Sequence, residues 1–247
     1  MDAVTYAVLL FGALAGGFVS GLAGFGTALM ALGIWLYVLT PALAVPLVLI
    51  CSVSAQLSTL PAMWRLLDFK LAVPFVLGGL AGMPIGALLV ARADPQVFKL
   101  SVGVMLLVFP TALYFSRVPM TFRFGGRAAD AVVGFAGGIL GGLAGLSGPL
   151  PTLWASVRGW TKDQRRGVFQ IFNGTVLGAA LCVQVASGFV ERQVFWLALL
   201  ALPGTLVGAR LGAWTYRALS DRNFYDIVLG LLFLSGLGLM WSSIAPR

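Results

Sequence analysis

Two short stretches of this chain have the residues to hold an anion without using a charged side chain. One is Gly24-Phe25-Gly26-Thr27 and the other is Gly145-Leu146-Ser147-Gly148-Pro149. Each interrupts an apolar run with residues that stop a helix. Glycine adopts left-handed backbone freely. Proline suits the first position of a new helix, because its missing N–H would have no partner there. Helices restarting near Gly26-Thr27 and near Ser147-Gly148-Pro149, with Ser147 or Gly148 as cap, would aim their N-termini at the membrane interior. Such an end carries ~+0.5 charge and several free N–H donors, which is the chemistry of an anion site. The next helix after each break adds neutral polar groups: Ser52, Ser54, Gln56, Ser58 and Thr59 in the first case, Gln170, Asn173 and Thr175 in the second. The candidate substrate-binding residues are therefore Gly24, Phe25, Gly26, Thr27, Ser52, Gln56, Gly145, Leu146, Ser147, Gly148, Pro149, Gln170 and Asn173. Asn173 is the strongest side-chain candidate, since its neighbour Gly174 is expected to loosen the helix. Polar side chains of these types also tie membrane helices to one another, and the sequence leaves that second role open.

Other chemistries lack their residues. There is no histidine, which removes the commonest metal ligand and general base. Cys51 and Cys182 both fall in apolar runs and read as buried packing residues rather than a disulfide or metal pair. Asp130 and Asp226 lie near run ends, so no carboxylate stands mid-run as a proton relay would require. Arg210 lies inside a run, where it either pairs with an anion or snorkels to the interface. No enzyme chemistry, cofactor or metal is expected, and a purely structural membrane subunit would have no reason for paired helix breaks.

The elements that must position the two breaks are membrane helices. The chain has 247 residues, 60% hydrophobic and 10% charged, and no charged residue lies between Ala3 and Trp64. That interval is about three bilayer spans at ~20 residues each. The runs are apolar on every face, unlike the alternating strands of a membrane barrel. Asp2 stands where a signal peptide would carry a basic segment, so no cleavable leader is expected.

Apolar runs fall at about 3–23, 27–39, 42–64, 71–91 and 97–116, and again at about 128–145, 149–157, 167–188, 193–216 and 223–244. The second run of each set is short. Ala128 to Val157 gives 30 residues for two runs, where two full crossings need ~40. A hairpin whose two helices meet at a tip fits that length.

Loop charge supports the hairpin. If each pair returns to the side it left, one side collects Arg65, Lys70, Arg117, Arg123, Arg127, Arg158, Lys162, Arg165, Arg166, Arg217 and Arg222, and the other only Arg92, Lys99, Arg192 and Arg247. That is a strong positive-inside bias, and it largely disappears if each pair is one crossing. It places both termini outside a cytoplasmic (inner) membrane, and it accounts for the net charge of +8 without a nucleic-acid partner. The partners expected are a small anion and the lipid bilayer, with a homo-oligomer left open.

The two sets are copies. "GGFVSGLAG" from Gly16 matches "GGILGGLAG" from Gly137 at an offset of 121, "GMPIGALL" from Gly82 matches "GTLVGARL" from Gly204, and Val102-Gly103 matches Leu229-Gly230. An odd number of crossings per copy would invert one against the other, as in many secondary transporters. The expected architecture is an all-α polytopic membrane protein of 8–10 transmembrane segments. It comprises two inverted repeats of about five segments, residues 1–120 and 121–247, in one integrated membrane domain. The small-xxx-small spacing of Gly17/Gly21 and Gly138/Gly142 suits close helix packing as well.

"GGFVSGLAGFGTALM" followed by Pro46, and "GGILGGLAGLSGPLP" followed by "FNGT", resemble the TauE/SafE family of membrane permeases over nearly the whole chain. Thr27-Ala28 follows Gly26 where members often carry further glycines, a departure that leaves the substrate's identity open. The resemblance implies transport of sulfite or a small organosulfonate, often outward, with sulfonate uptake also described for the family. The function expected is thus a secondary transporter exporting such an anion, held near the midplane by paired helix N-termini. A passive anion channel, or an uptake permease for another sulfur anion such as sulfate or thiosulfate, is the alternative.

Overall fold

The computed structural model describes residues 2–90, 92–115 and 126–218, and isolated positions between 229 and 240. Every regular element among them is helical: α1 (Ala3–Ala23), α2 (Thr27–Trp35), α3 (Pro41–Met63), α4 (Phe69–Val90), α5 (Pro95–Phe115), α6 (Gly126–Ala144), α7 (Pro149–Val157), α8 (Lys162–Ala186) and α9 (Arg192–Ala218). Seven of these are long and apolar enough to cross a membrane; the exceptions are α2 and α7, at nine residues each. The chain is a polytopic helical membrane protein. The run expected at 223–244 lies largely outside the described residues.

Local chemistry sets the helix starts. Asp2 caps α1 by accepting from the Thr5 N–H at 3.1 Å. Pro41 opens α3. Thr161 and Gln164 form a reciprocal capping box at the start of α8, which satisfies two of the amides a helix start leaves unpaired. Lys162, Arg165 and Arg166 therefore lie within α8 rather than in the loop before it.

Each short helix folds back antiparallel on the long helix before it. In the first pair, Gly16 packs on Ala31 and Thr27, and the Trp35 indole N–H donates to the Leu9 carbonyl at 3.0 Å. In the second, Gly141 faces Ser147, Gly137 faces Pro151, and the Trp154 indole N–H donates to Asp130 at 2.7 Å. Arg158, just past α7, lies 3.8 Å from Asp130 in the second turn of α6. The second hairpin thus ends level with its beginning, with Arg127 and Arg158 at the same end of the α6–α7 pair. At 1.5 Å per residue α2 and α7 are ~14 Å long, about half a hydrocarbon core.

The long helix of each hairpin packs on the fourth helix of the other half. On α1, Gly17 and Gly21 face the backbone of Thr205 and Ala209, while Gly208 and Gly212 on α9 face Leu14 and Phe18. On α6, Gly138 and Gly142 face Gly79 and Met83, while Gly82 and Gly86 on α4 face Phe135 and Ile139. A Cβ at Gly21 would sit 2.0 Å from the Ala209 carbonyl oxygen, and one at Gly142 2.1 Å from that of Met83. Backbone-to-backbone approach of this kind is what small residues permit between membrane helices. The helices α3 and α8 pack on each other between these two pairs.

Two sequence expectations change. Cys51 is buried but Cys182 is exposed, because it lies on the outer face of α8. That helix runs unbroken through Asn173-Gly174: the bonds of the surrounding turns hold the single glycine helical, and open space surrounds it.

Candidate anion-binding site

The two hairpin tips meet. Gly24 (φ 83°) and Gly145 (φ 70°) end α1 and α6 in left-handed backbone, where a side chain would be strained. After each turn the chain restarts as a short helix. Gly26 is the N-cap of α2 and Gly148 that of α7, and neither start has a side-chain cap. Ser147 does not cap α7; its hydroxyl donates to Asn173 Oδ1 at 2.6 Å. Gly148 abuts the Phe25 side chain, with a built Cβ only 2.6 Å from it, and Gly145 packs on Ala28. Phe25 is wedged edge-on between Phe109 and Phe169, at 6.0 and 5.8 Å between ring centres.

Between the tips is a small cavity. Phe25, Gly26 and Thr27 line it from the first tip, and Gly145, Leu146, Ser147, Gly148 and Pro149 from the second. Ser52 and Gln56 reach it from α3 and Asn173 from α8, with Ser20, Ala28, Leu29 and Leu177 completing the wall. About 10 Å³ of the space admits the centre of a water-sized sphere, which is room for about one water molecule. No charged side chain lines it.

Polar groups from α3 and α8 hold the first tip in place. The Gly24 carbonyl accepts from Gln56 Nε2 at 2.8 Å and from Asn173 Nδ2 at 3.0 Å. Gln170 does not reach the cavity. Its amide donates to the Gln56 carbonyl at 2.7 Å and its oxygen accepts from Thr59 at 3.4 Å, so it braces α3 against α8. Gly24 likewise contributes its carbonyl to this network rather than a wall. Two buried atoms at the cavity have no hydrogen-bond partner: the Ser52 hydroxyl and Gln56 Oε1. Those residues are 2% and 4% exposed. A buried polar atom without a partner is uncommon in a folded protein, and here two of them share one helix face at i and i+4.

Arg166 belongs to this region although loop charge alone would assign it to the membrane surface. It is 1% exposed. Its guanidinium donates to the carbonyls of Ser20 at 3.2 Å and Gly21 at 2.8 Å, and it stacks 5.4 Å from the Tyr216 ring centre. A cation at these last carbonyls of α1 complements the negative end of that helix. The signal was present in the spacing: Arg166, Gln170, Asn173 and Leu177 recur at helical intervals along one face of α8. Arg210 is exposed and lies away from the cavity wall, and Ser54 and Thr175 do not line it either.

The arrangement can present uncapped helix ends and unpartnered neutral groups to one small ligand. No curated protein and no solved structure matches the chain. A model of the family described as "Sulfite exporter TauE/SafE" matches residues 8–239, which takes in both hairpins and the helices that brace them. The chain belongs to the TauE/SafE sulfite exporter family, membrane transporters of sulfur anions.

Proposed function

We propose that this protein is a secondary transporter that exports a small sulfur anion, sulfite or an organosulfonate, across the cytoplasmic membrane. The anion sits between the two tips, near the bilayer midplane, on the N-termini of α2 and α7. One observation carries the reading: two uncapped helix starts converge on a cavity where the buried Ser52 hydroxyl lacks a partner. Ser147 and Asn173 complete the shell, and Gln56 and Asn173 fix the first tip. The halves 1–120 and 121–247 act as inverted repeats in one membrane domain, both termini outside, with the basic segments near Arg65, Arg158 and Arg217 in the cytoplasm. An anion leaving a negative interior gains ~2.3 kcal/mol per charge per 100 mV, which drives export without a coupling ion. A cavity with room for about one water supports a carrier that opens and closes rather than a standing pore.

Gly148 tests the site. Its backbone is α-helical, at φ −73°, so a side chain there is unstrained in itself but runs into Phe25. Gly148→Leu is expected to abolish sulfite flux in proteoliposomes, by at least ~100-fold, while the protein still purifies as a folded species. Wild-type flux from well-folded Gly148→Leu would remove the tip site. Single-channel currents in a planar bilayer would replace the carrier with a channel.

A further inference from the structure

The form of the anion follows from the cavity's own donors and acceptors, given the proposed site. Donors dominate on one side. The first amide of α2 to bond back along the chain is that of Met30, to the Gly26 carbonyl at 3.1 Å, so the N–H groups of Thr27, Ala28 and Leu29 have no partner within the helix. Ser52 adds a hydroxyl. The start of α7 is poorer, because Pro149 and Pro151 have no N–H and Leu150 is the sole donor in its first three positions.

Against these donors stands one bare atom that can only accept, Gln56 Oε1, since the Ser52 hydroxyl can donate as well as accept. The amide cannot usefully turn over: Nε2 is held by the Gly24 carbonyl at 2.8 Å, and a flip would set two oxygens together. An anion whose oxygens are all bare leaves this acceptor unpartnered. One that carries its own O–H satisfies it. Charge points the same way. Two helix starts, at most ~+0.5 each and less at α7 with its two prolines, match no more than a single negative charge, and a second would go uncompensated where no cation lines the wall.

We propose that the site takes a singly protonated oxyanion, hydrogensulfite in its O–H form rather than the sulfite dianion, with that O–H donated to Gln56 Oε1. Each cycle then exports one negative charge together with one proton. The proton rides on the substrate, so no carboxylate or histidine relay is needed.

The surrounding protein has little of its own to titrate. α1, α2 and α7 carry no charged residue. Cys51 lies on α3 beside Ser52, buried. From α8 comes Arg166, bound to carbonyls of α1; from α9 comes Tyr216, stacked on Arg166 and donating to Asp163 at 3.1 Å. Arg210 of α9 is exposed.

The test uses the full chain in proteoliposomes. Sulfite counterflow is measured at zero potential and fixed total sulfite across a series of symmetric pH values, with methanesulfonate and sulfate as competitors. The monoanion fraction falls about tenfold per pH unit above the ion's own protonation range, and the rate is expected to fall with it. Methanesulfonate, a monoanion without a donor, should compete at least ~10-fold more weakly than sulfite at low pH, and sulfate more weakly still. Gln56→Met should narrow the gap between sulfite and methanesulfonate. If that variant does not fold, the wild-type pH profile and competition order decide alone. A rate that rises with pH, or methanesulfonate competing as well as sulfite, overturns the protonated form and leaves the site standing. Saturable sulfite flux that is unchanged in Gly148→Leu removes the site, and this inference with it.

Discussion

A hydroxyl buried without a partner, such as Ser52 Oγ, costs a fold about 1–3 kcal/mol. Folding alone gives no reason to keep it, so the residue separates stability from transport. Ser52→Ala is expected to leave the protein as stable or raise its unfolding temperature in detergent by a few degrees, and to lower sulfite flux at least ~10-fold. Destabilisation together with unchanged flux would mean that the hydroxyl serves packing instead. The polar residues around the cavity were legible in the sequence because Ser, Gln and Asn stand out in runs where nearly everything else is apolar. Their division of labour was not. Gln170 and Asn173 sit one turn apart on α8, yet one braces α3 and the other reaches the cavity. Which does which depends on how α3 crosses α8, and spacing along a single helix carries no record of that. Arg166 was missed for a different reason: within a basic cluster a positive charge reads as a surface signal, and its burial follows only from the carbonyls of α1 lying opposite.

At the level of helices, glycines of identical type do opposite jobs. Gly17 and Gly21 on α1, Gly82 and Gly86 on α4, Gly138 and Gly142 on α6, and Gly208 and Gly212 on α9 set backbone against backbone, whereas Gly174 and Gly178 on α8 have open space where a Cβ would go. Gly21→Ala places a methyl against the Ala209 backbone, and overpacking of this kind costs about 1–3 kcal/mol or more. The folded yield and detergent unfolding temperature should both drop. Gly174→Ala should leave them unchanged or slightly higher, since alanine favours helix over glycine by up to ~1 kcal/mol. Equal losses in both variants, followed by size-exclusion and thermal unfolding, would show that these contacts do not hold the bundle. Helix ends were legible wherever the chain marks them chemically. Pro149 opens α7 where expected, and α2 starts at Thr27 directly after Gly26. The pairing of α1 with α9 and α6 with α4 was not legible. Small-xxx-small spacing announces a close neighbour without naming it, and the neighbour here lies in the other half of the chain.

Across the whole molecule the packing exchanges the halves: α1 lies on α9 as α6 lies on α4, α3 touches α9 as α8 touches α4, and α3 meets α8 between them. This reciprocity supports the proposed inverted repeat, in which α1–α5 and the second half thread the membrane in opposite senses. The decisive element is the second hairpin. Because α7 returns to the level of Asp130, five helices lie between Lys70 and Arg192 but only three of them cross: α4, α5 and α8. Lys70 and Arg192 should therefore lie on opposite sides. If α6 and α7 together made one crossing, the count would be even and the two residues would share a side. Single cysteines at Lys70 and Arg192 report this directly. Exposed Cys182 is first replaced by serine, and buried Cys51 is left in place. In right-side-out vesicles a membrane-impermeant maleimide should label Arg192→Cys without lysis and Lys70→Cys only after it. Labelling of both from one side would remove the hairpin topology, and with it the inversion that brings two helix N-termini to the same depth.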